Sequence, residues 1–138
     1  MAVKFHTDGV ELPEIDKKAI SQWVKSVAGN YERSIGEINY IFCSDEKILE
    51  VNNQYLQHDY YTDIITFDYT TGHIISGDIY ISLDTVTTNA EQFTTSYHDE
   101  LLRVIIHGIL HLCGLKDETE EEEKEMRRAE DEALVLLP

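Results

Sequence analysis

The residues best equipped for chemistry in this chain are His107, His111 and Asp117, in the run His107-Gly-Ile-Leu-His111-Leu-Cys-Gly114-Leu-Lys-Asp117. Histidines four residues apart lie on one face of a helix, so both imidazoles can reach a single ion. Gly114 suits the left-handed residue that commonly ends a helix, and a chain turning back there can deliver the Asp117 carboxylate. Two imidazole nitrogens and one carboxylate oxygen make an open metal site, with a position left for water or substrate. A metal held in this way commonly carries out hydrolysis. The histidine pair alone also fits two core histidines satisfied by hydrogen bonds; the following glycine and carboxylate shift the balance toward metal. Zinc, one ion per chain, suits these donors best, although the affinity order of divalent metals leaves its identity open.

The ligand spacing is that of metzincin-type zinc peptidases, including the intervening glycine. Those enzymes place a glutamate directly after the first histidine as general base, and here that residue is Gly108. The standard peptidase mechanism therefore lacks its base. Non-haem iron oxygenases use the same ligand types, but nothing in the chain signals an oxygenase cosubstrate.

The elements that must position these residues follow from apolar periodicity. Leu101, Leu102, Val104, Ile105, Ile106, Ile109, Leu110 and Leu112 make the helix from about Tyr97 to Cys113 apolar nearly all round, as in a buried helix. Ser96 with Asp99 forms its start signal. Glu100, Arg103, His107 and His111 fall on one narrow stripe of that helix. Ionisable groups on a buried helix need partners, a metal or a wet cleft. Thr119 and Glu122 form a capping box for a last helix whose core face is Met126, Ala129, Ala133, Leu134 and Leu137.

Upstream, residues 2–6 alternate weakly, as in an edge strand. Pro13 sits where a first helical residue would, followed by Ile15, Ala19, Ile20, Trp23, Val24 and Val27, with Gly29 and Asn30 at the end. Ile38, Tyr40 and Phe42 alternate as a strand. Ser44 can cap a helix carrying Ile48, Leu49, Val51 and Tyr55. Ile64–Tyr69 and His73–Ser82 read as an antiparallel hairpin, and Leu83–Phe93 as a third helix. The expected fold is α+β: a single domain over residues 1–138, with a small mixed sheet, about five helices and a buried central helix carrying the metal motif.

A length of 138 residues suits one domain with a real core. No apolar run approaches the roughly 18–20 residues of a membrane span. MAVKFHTDGVEL lacks the apolar core of a secretory signal, which points to the cytoplasm. Cys43 and Cys113 show no zinc-type pairing and read as buried, reduced thiols. The net charge of −16 argues against general affinity for nucleic acid or anionic membrane. Ten acids against three bases between Asp117 and Glu132 contribute −7 of it, a run that reads as a solvated helix face.

His107-Gly-Ile-Leu-His-Leu-Cys-Gly114 resembles the H-G-x-L-H-L-x-G signature of the YbeY-type rRNA maturation endoribonucleases. Asn52 through Phe67 resembles that family's N-x-x-x-R…P-T-D-V-L-S-F block, and Gly77-Asp78-Ile79-Tyr80-Ile81 its G-D-I-x-I strand. The similarity runs from about residue 38 to 117, in the family's order. It implies an α+β fold, one zinc ion and cleavage of single-stranded RNA in ribosomal RNA processing and ribosome quality control, with the ribosome or its small subunit as partner.

This chain departs from the family pattern twice. The usual third ligand is histidine, whereas Asp117 stands here, lowering the site's charge by one and making the ion a weaker Lewis acid. The arginine of the N-x-x-x-R block falls on Leu56, removing a phosphate clamp. Arg103, one turn before His107, is the candidate catalytic replacement, with a salt bridge to Glu100 as the alternative. Lys116 is a candidate for substrate binding, or else a solvated lysine. Thr62 and Asp63 read as structural, Asp63 tying down a strand entrance. His58, His73 and His98 read as surface or turn histidines. The rival function is a ribosome-assembly binding factor whose metal site is structural or weakly active. An atypical metallopeptidase is the third reading.

Overall fold

Alternating apolar residues build four strands and helical apolar spacing builds five helices among the residues described, 2–56 and 63–137, in a computed structural model. The side chains of Tyr55 and Leu56 lie outside the described set. The elements are β1 (Ala2–Thr7), α1 (Lys17–Asn30), β2 (Ser34–Cys43), α2 (Asp45–Leu56), β3 (Ile64–Asp68), β4 (Ile74–Ser82), α3 (Leu83–Gln92), α4 (Tyr97–Leu112) and α5 (Glu120–Val135). The sheet order is β1-β2-β4-β3. β1 and β2 are parallel, β2 and β4 are parallel, and β3 returns antiparallel on β4. The expected α+β domain with a mixed sheet is what forms, and β1 takes the expected edge.

The period of two sorts side chains to two faces. Ile38, Tyr40 and Phe42 of β2 and Ile75, Ile79 and Ile81 of β4 join the main core with α1, α4 and α5. Cys43 and Ile65 turn to the other face and pack with Ile48 and Val51 of α2. Both thiols are free and buried, as expected. Two buried polar groups fasten helices to this frame. The Tyr40 hydroxyl donates to the Ile105 carbonyl at 2.9 Å, and Trp23 Nε1–H donates to the Ala133 carbonyl at 2.7 Å. Each is satisfied without water, which is what makes an aromatic with a polar tip tolerable in a core.

α4 lies closest to the sheet where its side chain is smallest. A Cβ on Gly108 would stand 3.0 Å from Ile79 Cδ1 and 3.2 Å from Ile64 Cδ1. Ile105, Ile106 and Ile109 are fully buried around it, each worth about 1.5–3 kcal/mol of burial. The position that a zinc peptidase would give to its glutamate therefore faces packed isoleucine.

Most helix ends are set by the local signals that the chain carries. Ser96 Oγ accepts from Asp99 N–H at 3.0 Å. Thr119 and Glu122 exchange both bonds of the capping box, at 3.0 and 3.1 Å. The first helix differs from expectation. It starts at Lys17, because the Asp16 carboxylate caps Ala19 N–H at 3.0 Å, and Pro13 stays outside. Capping by a carboxylate satisfies an orphan donor, which a proline at the start cannot do. α3 stops at Gln92, with Phe93 as its C-cap.

Candidate metal centre

The end of α4 folds as its sequence indicates. Gly114 has φ +105°, its N–H donates to the His111 carbonyl, and Leu115 N–H donates to the Leu110 carbonyl, both at 3.0 Å. This Schellman turn reverses the chain and brings Asp117 back over the last helical turn. His107 Nε2 lies 3.4 Å from Asp117 Oδ2, and His111 Nε2 lies 3.5 Å from Asp117 Oδ1. The two imidazoles stand 4.7 Å apart at 83°, and one ligand atom from each of the three residues lies within 4.8 Å of the others.

These distances test whether the residues fit a metal. They are longer than the 2.7–3.2 Å typical of N–H···O hydrogen bonds. Ligand atoms held about 2.0–2.1 Å from a tetrahedral ion are separated by about 3.3–3.4 Å. Each imidazole nitrogen thus stands about one such edge from one of the two Asp117 oxygens, beyond hydrogen-bonding range, and the three side chains converge closely enough to share an ion. The three donors fit.

His107 has a partner that the sequence reading missed. Its Nδ1 lies 2.6 Å from Oε2 of Glu130, a residue of α5 only 5% exposed. The acidic run is a solvated face as expected except here. Glu130 falls four residues after Met126 and three before Ala133, inside the apolar stripe of α5, and an acid at such a position is the signal that could have found it. The other oxygen of Glu130 accepts from Arg103 Nη1 at 2.8 Å, while Arg103 Nη2 donates to Asp131 at 2.6 Å. Burial alone would raise the Glu130 carboxyl; the hydrogen bonds from His107 and Arg103 outweigh it and hold the group below the usual carboxylate range. An ionised carboxylate can only accept, so His107 Nδ1 carries the proton. In the neutral ring, Nε2 then presents its lone pair toward Asp117. Metal-binding histidines commonly have this backing.

The site opens into a cavity of about 500 Å3 lined by Asp63, Thr66 and Asp68 besides the three donors. Its charged walls are acidic, which suits a cation. Asp63 does tie a strand entrance: its carbonyl accepts from Ser82 N–H at 3.0 Å, and Asn89 donates to its carboxylate at 3.4 Å. Burial pushes the Asp63 carboxyl up. Arg103 is paired with Glu130 and Asp131, not with Glu100 as the salt-bridge alternative had it. The reason is α5, whose two carboxylates reach the guanidinium first. Lys116 is exposed and lies outside the residues lining this cavity. His73 and His98 are exposed. His58, Thr62 and the side chain of Leu56 lie outside the described residues.

Fold and donor set together define the class: a small α+β protein with an open His-His-Asp site at the end of a buried helix. The family model described as Endoribonuclease YbeY matches residues 3–137, and the chain belongs to that family. It is 62% identical over 138 residues to a Parabacteroides distasonis protein named Endoribonuclease YbeY, covering 100% of this chain and 97% of that one. A Bacteroides thetaiotaomicron protein of the same name is 62% identical over 136 residues, covering 99% of each chain. The solution structure of a Thermotoga maritima protein matches with TM-score 0.68 at 26% identity, covering 99% of this chain and 89% of that one.

Proposed function

We propose that this chain is a metal-dependent endoribonuclease that hydrolyses phosphodiester bonds of single-stranded RNA in ribosomal RNA maturation and ribosome quality control. The observation that carries the reading is the convergence of His107, His111 and Asp117 within 4.8 Å of one another, in a chain whose relatives are named endoribonucleases. His107, His111 and Asp117 would hold the ion, with zinc best suited to the donors. Once bound, it would supply Lewis-acid polarisation of a phosphoryl oxygen and a more acidic water.

The chain's own residues prepare that chemistry. Glu130 fixes the His107 tautomer and aims Nε2 into the cavity. Arg103 keeps Glu130 ionised and in place, and it lines the adjoining cavity together with His107. Lys116, next to Asp117, supplies the nearest exposed cation in sequence for an incoming phosphate. RNA enters unpaired, because a site of this size cannot open a duplex at low cost. We place the activity in the cytoplasm, on the ribosome or its small subunit. Among the described residues, no helix is long and apolar enough to cross a membrane.

One observation favours the rival, a ribosome-assembly factor with a weakly active site: the 500 Å3 cavity has no lysine or arginine among its described walls. Metal analysis followed by cleavage of single-stranded and duplex RNA, for the wild type and His111→Ala, separates the two. Joint loss of metal and of single-strand cleavage in a folded variant supports the nuclease. Metal-loaded wild type that leaves RNA intact would sink it.

A further inference from the structure

A second cavity of about 450 Å3 adjoins the first, and His107 and Asp63 line both. Its other walls come from three helices and include Thr85, Asn89, Phe93, Glu100, Arg103 and Arg127. A neighbouring depression of about 370 Å3 shares Phe93, Glu100, Arg103 and Arg127, so a groove continues from the metal site past Phe93.

Two features of this groove bear on a ligand. Phe93 is 54% exposed, with the Arg127 guanidinium 5.8 Å from its ring centroid. Glu100 is only 7% exposed as a residue and its carboxylate makes no hydrogen bond or ion pair among the described residues, but no buried polar atom there lacks a partner, so its oxygens open onto the groove. Arg103, one turn along the same helix, is committed to Glu130 and Asp131 instead. Burial accordingly pushes the Glu100 carboxyl up, partly countered by the charges of Arg103 and Arg127. A carboxylate that meets solvent only through such a groove is placed to accept from a ligand carrying donors.

We propose that Phe93, Arg127 and Glu100 form a guanine subsite beside the metal centre. An exposed aromatic ring with an adjacent guanidinium is a stacking platform for a base of an unpaired strand. A carboxylate only accepts, so it selects the base edge with two adjacent donors. Guanine offers N1–H and N2–H side by side. Adenine and cytosine set an amino donor beside a ring acceptor, and uracil flanks one N–H with two carbonyls, so each leaves a carboxylate oxygen facing an acceptor or nothing. The subsite therefore fixes which nucleotide sits next to the scissile phosphate at the His107–His111–Asp117 site.

This inference rests on the nuclease reading, and its test separates the two. Metal-loaded wild type, Phe93→Ala and Glu100→Gln would be assayed on single-stranded oligoribonucleotides that differ only in one guanosine, inosine or adenosine. Binding of GMP and AMP to the same proteins would be followed by NMR, independently of cleavage. The wild type is expected to favour guanosine over adenosine about tenfold in kcat/KM, with inosine, which lacks the N2 amino group, between them. Glu100→Gln should bring the three within about twofold while still cleaving, and Phe93→Ala should raise KM about tenfold for all. Cleavage without base preference, or GMP binding indifferent to Glu100→Gln, overturns the subsite and leaves the nuclease standing. A preference for adenosine or cytidine overturns the guanine assignment. GMP binding lost in Glu100→Gln, in a protein that cuts no RNA, supports the subsite and sinks the nuclease.

Discussion

On the sheet side of α4, Gly108 brings the backbone down onto Ile79 and Ile64, and Ile105 and Ile109 are fully buried; elsewhere on the same helix, buried Glu100 and half-buried Arg103, His107 and His111 carry ionisable groups. The sheet side is held by shape and apolar contact. The polar side is held by α5, which contributes Glu130 to both His107 and Arg103. One helix can serve both because successive side chains are rotated by about 100°, so His107 and Gly108 look in different directions. The tight packing of one side fixes the height at which the other presents its donors.

The sharpest way to break this contrast is to put the peptidase glutamate into the sheet side. Gly108→Glu should not create a peptidase. It should destabilise the fold by at least about 3 kcal/mol, because an unpaired carboxylate would be driven into packed isoleucine. Urea unfolding checks this, and a stable variant would show that the sheet side has room for a buried carboxylate beside Ile79 and Ile64.

On the polar side, Glu130→Ala should weaken metal binding about 10–100-fold by releasing His107 from its fixed tautomer. A chelator-competition titration measures it, with circular dichroism confirming the fold. Unchanged affinity would mean that the cavity orders His107 without α5. A smaller effect is expected from Thr119→Ala, which removes the cap that starts α5. Stability should fall by about 1 kcal/mol in denaturant unfolding.

An effect that emerges only at alkaline pH lies far from α4, on the other face of the sheet. Burial pushes the Cys43 thiol up to about 12, so the folded state disfavours its thiolate. The unfolded chain ionises this group from about pH 8.5 upward. Its contribution to stability is therefore complete below that pH and declines as pH rises toward about 12, by roughly 1 kcal/mol per pH unit. The stability gap between wild type and Cys43→Ala should narrow between pH 8 and pH 10. A constant gap would mean that the thiol is less buried than it is here.

Much of the fold was legible because it depends on neighbours in sequence. The caps at Ser96 and Thr119 and the β3–β4 hairpin involve residues close together along the chain, and local hydrogen bonds realise them. The start of α1 was misplaced because two local signals compete there, and the Asp16 carboxylate supplies a hydrogen bond where Pro13 supplies only a fixed φ. Arg103 could be placed on the right face of α4, but its partners could not. Glu100 was near in sequence, whereas Glu130 and Asp131 became near only when α5 docked.

By itself, then, the sequence determined the cluster that could hold a metal ion. His107, His111 and Asp117 lie within eleven residues, and one helical period with one glycine turn suffices to converge them. Tertiary structure alone decided what backs and surrounds those donors: Glu130 on His107, isoleucine against Gly108, and the groove joining Phe93, Glu100 and Arg127. These contacts link separate elements, and their distances depend on how α3, α4, α5 and the sheet pack. Local periodicity sets which way a side chain points on its own helix; the packing of the whole core sets what it meets.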